Sequence, residues 1–452
     1  MARPIVLVHG YSDRGERFES WRRRLEADGR PTSAINVGNY VSLTNEITIK
    51  DIAEGFDRAL RADADLGSDE PFDAIVHSTG MLVVREWVTS HDARSRRLKH
   101  LIGLAPATFG SPMAHKGRSW LGAIFKGARQ PGPDFLEAGD HILAALELGS
   151  AYTWALAHRD FLADRAVYGA TARTPYPFIF IGLKDYGWLR RSVTAPGTDG
   201  TVRWAGAGFN TRKVVADLTL DPSTPEGGGR VRIHPWRNAH VPLVFLPDLN
   251  HTTILQKPTD TLVDMVLEAL RVSSGPAYDA WRRRWTAGNR SAVERRRAAP
   301  WQQFVIHAVD ERGDGVDDFF VEIGEVRGSR FQPLRFDLDV HPYKDDPSYR
   351  CFHVNLDTLG ATRGRRLALR VIARSGTDLV GYQGFAPAGV PASGPGDRAK
   401  WDAVVAFDAV MGDGDVRFFS PYTTTLVEIR LNREPLPLTG INRVFWFTPR
   451  VS

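Results

Sequence analysis

Along roughly the first 270 residues, short apolar runs alternate with stretches of helical spacing, and this rhythm constrains the fold more than any other feature of the chain. Residues 4–8 read as a buried strand. Residues 18–28 read as a helix with Phe18, Trp21 and Leu25 on one face. Residues 33–37 are strand-like again, and residues 49–64 place Ile52, Phe56 and Leu60 at helical spacing. Residues 72–76 form the next strand-like run and lead into a helix over 79–90. Further buried strands are predicted at 100–105, 177–183 and 241–246, and an amphipathic helix at 259–272. Parallel strands need long crossover connections, which helices supply, so the pattern predicts an α/β parallel sheet covered by helices.

The rhythm stops between residues 110 and 170, where Trp120, Ile124, Phe125, Leu143, Leu146, Trp154 and Phe161 fall in helix-like sequence. An insertion there predicts a helical cap or lid. Residues 275–300 are a second break, with Trp281-Arg282-Arg283-Arg284-Trp285 and Glu294-Arg295-Arg296-Arg297. They predict a basic linker with some helix. Its aromatic and basic side chains could touch a lipid surface, but a solvated connector whose arginines pair with local acids is the favoured reading. After Trp301, β-type runs at 304–309, 319–326, 367–373, 404–407, 424–431 and 443–447 are separated by Gly, Pro and Asp clusters, the pattern of an antiparallel β-sandwich. The expected division is therefore an α/β domain over 1–274 with its cap at 110–170, a linker over 275–300, and an accessory β-domain over 301–452. Asp310, Asp314 and Asp317 fit either a calcium site or a polar hairpin loop.

Hydrophobic residues at 42% and charged residues at 25% exclude a wholly disordered chain. The single cysteine, Cys351, excludes an intrachain disulfide. The opening MARPIVLVHGYSD lacks the basic start, long apolar stretch and cleavage site of a signal peptide, and no apolar run is long enough to span a bilayer. A soluble, cytoplasmic protein is expected, with signal-independent export left open. The formal charge of +5 comes without a nucleic-acid-binding signature, so no nucleic-acid partner is expected.

The strongest local signal is Asp73-Ala74-Ile75-Val76-His77-Ser78-Thr79-Gly80, a strand running into His-Ser-x-Gly and then a helix. A serine hydroxyl is a poor nucleophile unless it is exposed and given a base. A sharp strand-to-helix turn lifts it above the sheet and aims the first helical N–H groups at a developing oxyanion. Gly80 supplies the small residue the turn needs.

This segment resembles the nucleophile elbow of α/β-hydrolases, of bacterial lipases and esterases in particular, over about residues 3–272. The usual pattern is G-x-S-x-G. Here Val76 stands at the first glycine, and Met81 stands where many lipases carry another. The resemblance implies further roles. Val8-His9-Gly10-Tyr11 is similar to the segment forming half of the oxyanion hole, with the donors expected from the backbone N–H groups of Tyr11 and Thr79. Asp199, in Gly197-Thr198-Asp199-Gly200-Thr201-Val202, corresponds to the catalytic acid, although Asp-Gly also makes a plain turn. His251 lies in the loop after the last core strand, where the family places its general base; Asp248 in the same loop is the rival acid. The order Ser78, Asp199, His251 matches the family's order. Leu104-Ala105-Pro106-Ala107-Thr108-Phe109-Gly110-Ser111 is similar to the segment after the elbow in bacterial lipases.

The function expected is a serine hydrolase cleaving carboxylic esters of hydrophobic or lipid-like substrates through an acyl-enzyme. The alternatives are a phospholipase or acyltransferase on the same triad, or a non-catalytic binding protein on a hydrolase scaffold. His9, Gly10, Trp120 and Phe125 are the expected substrate-pocket residues. No cofactor and no metal are expected: His234 and His240 lie near Trp236 without a ligand cluster. A peripheral contact with a lipid surface fits the cap aromatics.

Overall fold

The computed structural model describes residues 2–8, 18–35, 47–63, 66, 70–112, 114, 140–169, 173–186, 195–224, 230–234, 236–343, 345–359, 367–377, 379–385, 400–406 and 418–435. The expected sites at His9, Gly10, Tyr11, Trp120 and Phe125, and the β-type run at 443–447, lie outside the described residues. The chain divides into two compact units. The first comprises Met1–Thr211, Pro235–Trp301 and Tyr422–Thr424; the second comprises Arg212–His234, Gln302–Pro421 and Thr425–Ser452. The division therefore does not follow chain order, because residues 212–234, expected within the α/β domain, belong with the β-rich unit.

The first unit contains strands β1 (Ile5–Val8), β2 (Thr32–Ile35), β3 (Phe72–His77), β4 (Leu98–Leu104) and β5 (Tyr176–Gly182), and, beyond two strands that belong to the second unit, β6 (Arg212–Asp217) and β7 (Val231–Ile233), the last strand β8 (Leu243–Leu246). Its sheet has the order β2-β1-β3-β4-β5-β8, and every pairing is parallel. Every residue of β3 and of β5 is buried, as expected of central strands covered on both faces. Ile5, Leu7, Ile75, Phe178 and Phe180 of the sheet join one core cluster with Trp21 and Leu25 of the helix Glu19–Ala27, Leu262 and Val266 of Asp260–Ala269, and Tyr278 and Trp281 of Gly275–Thr286. The helix Gly80–Ser90 packs with Ile49–Ala62, Phe56 meeting Trp87 edge-on at 5.5 Å. The latter helix begins in a capping box, with Thr48 Oγ1 accepting from the Asp51 N–H and Asp51 Oδ2 accepting from the Thr48 N–H.

Residues 275–300 form two helices, Gly275–Thr286 and Asn289–Arg296. Trp281 is buried against Phe178, with ring centroids 4.6 Å apart, and is not a lipid-facing residue. The arginines pair with local acids: Arg282 with Asp279, Arg284 with Glu268, Arg290 with Glu294, and Arg296 with Asp248. Of the insertion over 110–170, the described part holds the helices Asp140–Leu146 and Ala151–Arg159. Phe161, which follows them, is fully buried.

The second unit is a β-sandwich. Its further strands are β9 (Trp301–Asp310, all but its first residue), β10 (Asp318–Arg327), β11 (Arg330–Pro333), β12 (Leu338–Pro342), β13 (Tyr349–Asn355), β14 (Leu367–Arg374), β15 (Val380–Gln383), β16 (Lys400–Ala406) and β17 (Thr424–Pro435, from its second residue). One sheet has the order β11-β10-β14-β16. The other runs β12-β13-β9-β17-β6-β7, with β15 also on β17. Phe319, Leu369 and Val371 from the first sheet share a core with Phe304, Val354, Val427 and Ile429 from the second. Strand β6 joins by pairing in parallel with β17, Val214 opposite Val427. Asp310 Oδ1 accepts from the N–H groups of Arg312 and Asp314 and closes a hairpin turn, so this acidic loop is held by its own backbone.

Candidate active site

The sheet changes direction of growth between β1 and β3. From β1 the chain first adds β2 on one side, then returns to place β3, β4, β5 and β8 on the other. In open parallel sheets, ligands bind outside the carboxyl ends of the strands at such a reversal. Ser78 follows the carboxyl end of β3 directly.

Ser78 has φ 53°, in the left-handed region that L-residues other than Asn and Asp rarely enter. The turn is held from both sides. The Ser78 N–H donates to the Leu104 carbonyl, and the Ser78 carbonyl accepts from the N–H groups of Met81 and Ala107. Holding a non-glycine residue there costs on the order of 1–3 kcal/mol, which these contacts offset. Room for Met81 is made on the neighbouring strand. Gly103 is the register partner of Val76, and a Cβ at Gly103 would lie 2.7 Å from Met81 Cε. The helix behind the turn is anchored by the fully buried Arg85, which pairs with Asp160 at 2.7 Å and donates to the Thr108 carbonyl. Tyr168 donates to the same carboxylate, and the guanidinium lies 4.1 Å above the Phe161 ring centre. The buried charge is thus both paired and hydrogen-bonded, which a buried ion requires.

Three residues far apart in sequence meet at this turn. His251 Nε2 lies 3.1 Å from Ser78 Oγ, and His251 Nδ1 lies 3.0 Å from Asp199 Oδ2. All three are buried, with 2%, 1% and 0% exposure for Ser78, His251 and Asp199. An ionised carboxylate only accepts, so the hydrogen bond to Asp199 places the imidazole proton on Nδ1 and leaves the Nε2 lone pair facing the hydroxyl. Asp199 is itself fixed, since its Oδ1 accepts from the N–H groups of Thr201 and Val202. The His251 N–H donates to the Asp199 carbonyl, joining the two loops a second time. Asp248, the rival acid, is an exposed partner of Arg296.

Several supporting residues carry no signal that sequence reading would single out. Tyr186 Oη bridges Thr201 Oγ1 at 3.0 Å and Thr252 Oγ1 at 3.1 Å, tying the acid loop to the base loop. Its ring lies where a side chain at 200 would point: a Cβ there would be 2.6 Å from Tyr186 Cε2, and Gly200 has φ +103°. Asn250 Oδ1 accepts from the N–H groups of Thr252 and Thr253 and sets the turn that carries His251. His77 Nε2 donates to the His251 carbonyl at 2.9 Å, and the two rings lie 4.7 Å apart. The His77 contact was within reach of the motif, because a residue beside the elbow serine must lie beneath whatever serves that serine.

Thr79, an expected oxyanion donor, is the residue before the helix Gly80–Ser90, and its side chain makes no capping hydrogen bond. Its N–H donates no backbone hydrogen bond among the described residues. Glu54, Asp57 and His91 are the described residues whose ligand atoms approach closely enough for a metal. Their carboxylates are already engaged by Arg58, Arg61 and Arg94.

The all-parallel sheet, the left-handed turn after β3 and the loops bearing Asp199 and His251 define an α/β-hydrolase fold with an appended β-sandwich. The fold is similar to that of the solved structure of phospholipase PlaB from Legionella pneumophila, with a TM-score of 0.78 and 22% identity over 100% of this chain and 97% of that one. A second structure of PlaB, in complex with thio-NAD, matches with a TM-score of 0.77 and 21% identity over the same shares. At these identities the likeness is one of fold. No protein-family model and no curated protein sequence matches the chain.

Proposed function

We propose that the chain is a serine ester hydrolase of the phospholipase type, with Ser78 as nucleophile, His251 as general base and Asp199 as its orienting acid. The observation that carries this reading is the hydrogen-bonded series Ser78 Oγ, His251 Nε2 and Nδ1, Asp199 Oδ2 at the carboxyl end of the sheet. As Ser78 Oγ attacks an acyl carbonyl, its proton passes to His251 Nε2, and Asp199 stabilises the imidazolium. The Thr79 N–H supplies one donor to the oxyanion, an interaction worth roughly 3–4 kcal/mol. The imidazolium then protonates the leaving alcohol, and water attacks the acyl-enzyme by the same route in reverse. A phospholipid is the favoured ester because the likeness to PlaB runs through the β-sandwich as well as the hydrolase core.

No helix among the described residues is long and apolar enough to cross a membrane. Purified protein should release fatty acid from phosphatidylcholine vesicles, and Ser78→Ala should lower the rate roughly 10⁴-fold or more with unchanged thermal unfolding. A fluorophosphonate probe should label Ser78. Full vesicle hydrolysis by the Ala variant would overturn the assignment; cleavage of short soluble esters alone would keep the triad and remove the phospholipid.

A further inference from the structure

The second unit contains a cavity of about 440 Å³. Its wall is made from both sheets of the sandwich: Phe304, Phe319, Phe336, Phe352, Val354 and Leu369 are among the residues that line it. The volume falls within the roughly 300–1,000 Å³ of sites that enclose a small organic ligand. Three of the most exposed large apolar side chains among the described residues belong to the same lining: Phe320 at 55%, Val340 at 44% and Leu338 at 42%. Apolar side chains left in water around an apolar cavity mark a binding site more often than a packing flaw.

The charged side chains at this cavity differ in their partners. Glu322 pairs with Arg370 at 3.0 Å, and Arg370 also binds Asp402 at 2.6 Å. Arg350 lies over the Phe319 ring at 4.9 Å, donates to backbone carbonyls and feels the nearby charges of Asp317 and Asp318. Arg335, exposed on the same lining, makes no hydrogen bond or ion pair among the described residues. An apolar chamber with an unpartnered guanidinium on its wall fits a molecule with one long hydrocarbon chain and one carboxylate, since the planar guanidinium fork matches a carboxylate in two-point contact.

We propose that this cavity binds a long-chain fatty acid, with the hydrocarbon chain between the two sheets and the carboxylate at Arg335. Every lining residue lies in the second unit, so the inference stands whether or not Ser78 is the nucleophile. If the proposed reaction is correct, its product is this ligand, and the second unit holds a site for it.

The test uses the full chain and cis-parinaric acid, a fatty acid whose fluorescence rises in an apolar site. Saturable binding is expected. Phe320→Glu and Arg335→Glu alter exposed side chains, so thermal unfolding should not change. Each should weaken binding tenfold or more. Competition by palmitate should exceed that by methyl palmitate at least tenfold in the unaltered protein, and this preference should vanish in Arg335→Glu. Binding that is equal in both variants and the unaltered protein would place the fatty acid elsewhere and overturn the proposal. No binding, with a change of oligomeric state in Phe320→Glu, would overturn it in favour of contact with a second copy of the chain.

Discussion

Two buried carboxylate–imidazole pairs occupy opposite ends of the same parallel sheet. At the carboxyl end, Asp199 and His251 approach to 3.0 Å; at the amino end, Asp73 and His100, register partners on β3 and β4, approach to 2.7 Å. Both carboxylates are inaccessible to solvent. What differs is the third partner. His251 Nε2 faces the Ser78 hydroxyl, which can give up a proton. His100 Nε2 faces the Val272 carbonyl, which only accepts, so that nitrogen must carry its proton and has no lone pair to act as a base. Asp73 is also bound by Arg3 at 3.1 Å. A carboxylate beside a histidine is therefore insufficient for chemistry. The amino-end pair fastens the strand ends, and the carboxyl-end pair is positioned to move a proton.

The sharpest way to break this contrast is to neutralise each carboxylate in turn. Asp199→Asn should leave thermal unfolding nearly unchanged and lower kcat about 10³–10⁴-fold, because the amide favours the wrong imidazole tautomer. A loss below tenfold on a soluble ester would remove Asp199 from the mechanism. Asp73→Asn should do the opposite. Chemical denaturation should show a loss of about 2–4 kcal/mol from uncompensated Arg3 and His100, while kcat per folded molecule stays within about twofold. A large fall in kcat would mean that the two ends of the sheet are coupled.

The smallest effect concerns Glu86, on the helix behind the elbow. Burial alone would raise its pKa, but hydrogen bonds from Arg159, Tyr152 and Ser90 and the charge of Arg159 outweigh that and hold it below the ordinary 4.5. A carboxyl whose folded pKa is depressed stabilises the protein above its unfolded pKa, and that stability is lost as pH falls through the folded value. Glu86→Gln should therefore cost about 1 kcal/mol or less at neutral pH, and the difference from the unaltered protein should shrink below pH 4.5. A difference that is constant down to pH 3 would assign the effect to packing instead.

The contrast also explains what could be read from the chain in advance. Strands β1, β3, β4 and β5 announce themselves because central parallel strands are buried on both faces and must be continuously apolar, and β8 at the sheet edge is marked by its own apolar run. Ser78 is legible because it follows such a strand and precedes Gly80, whereas Asp199 and His251 are suggested by the resemblance and lie within hydrogen-bonding reach of one another and of Ser78. The Asp73–His100 pair is not legible, because its partners stand 27 positions apart and meet only through register. Nor is the place of β6 in the sandwich, since it depends on pairing with β17 more than 200 residues later. Strands β11, β12, β13 and β15 escaped for a local reason. β11 is largely exposed, β12 and β15 are only five and four residues long, and Arg350, His353 and Asn355 interrupt the apolar residues of β13, so apolar periodicity hardly marks them. Tyr186 has the same difficulty, since its role exists only once two loops have converged.

The left-handed backbone at Ser78 has a consequence for how the chain can change. Glycine would sit there without strain, so the mutation easiest for the fold to accept at that position is also one that deletes the hydroxyl. If Ser78 is the nucleophile proposed, selection for a sturdier protein and selection for a reactive one pull in opposite directions at this residue. A lineage released from the need for turnover would be expected to lose its serine here before it loses its sheet.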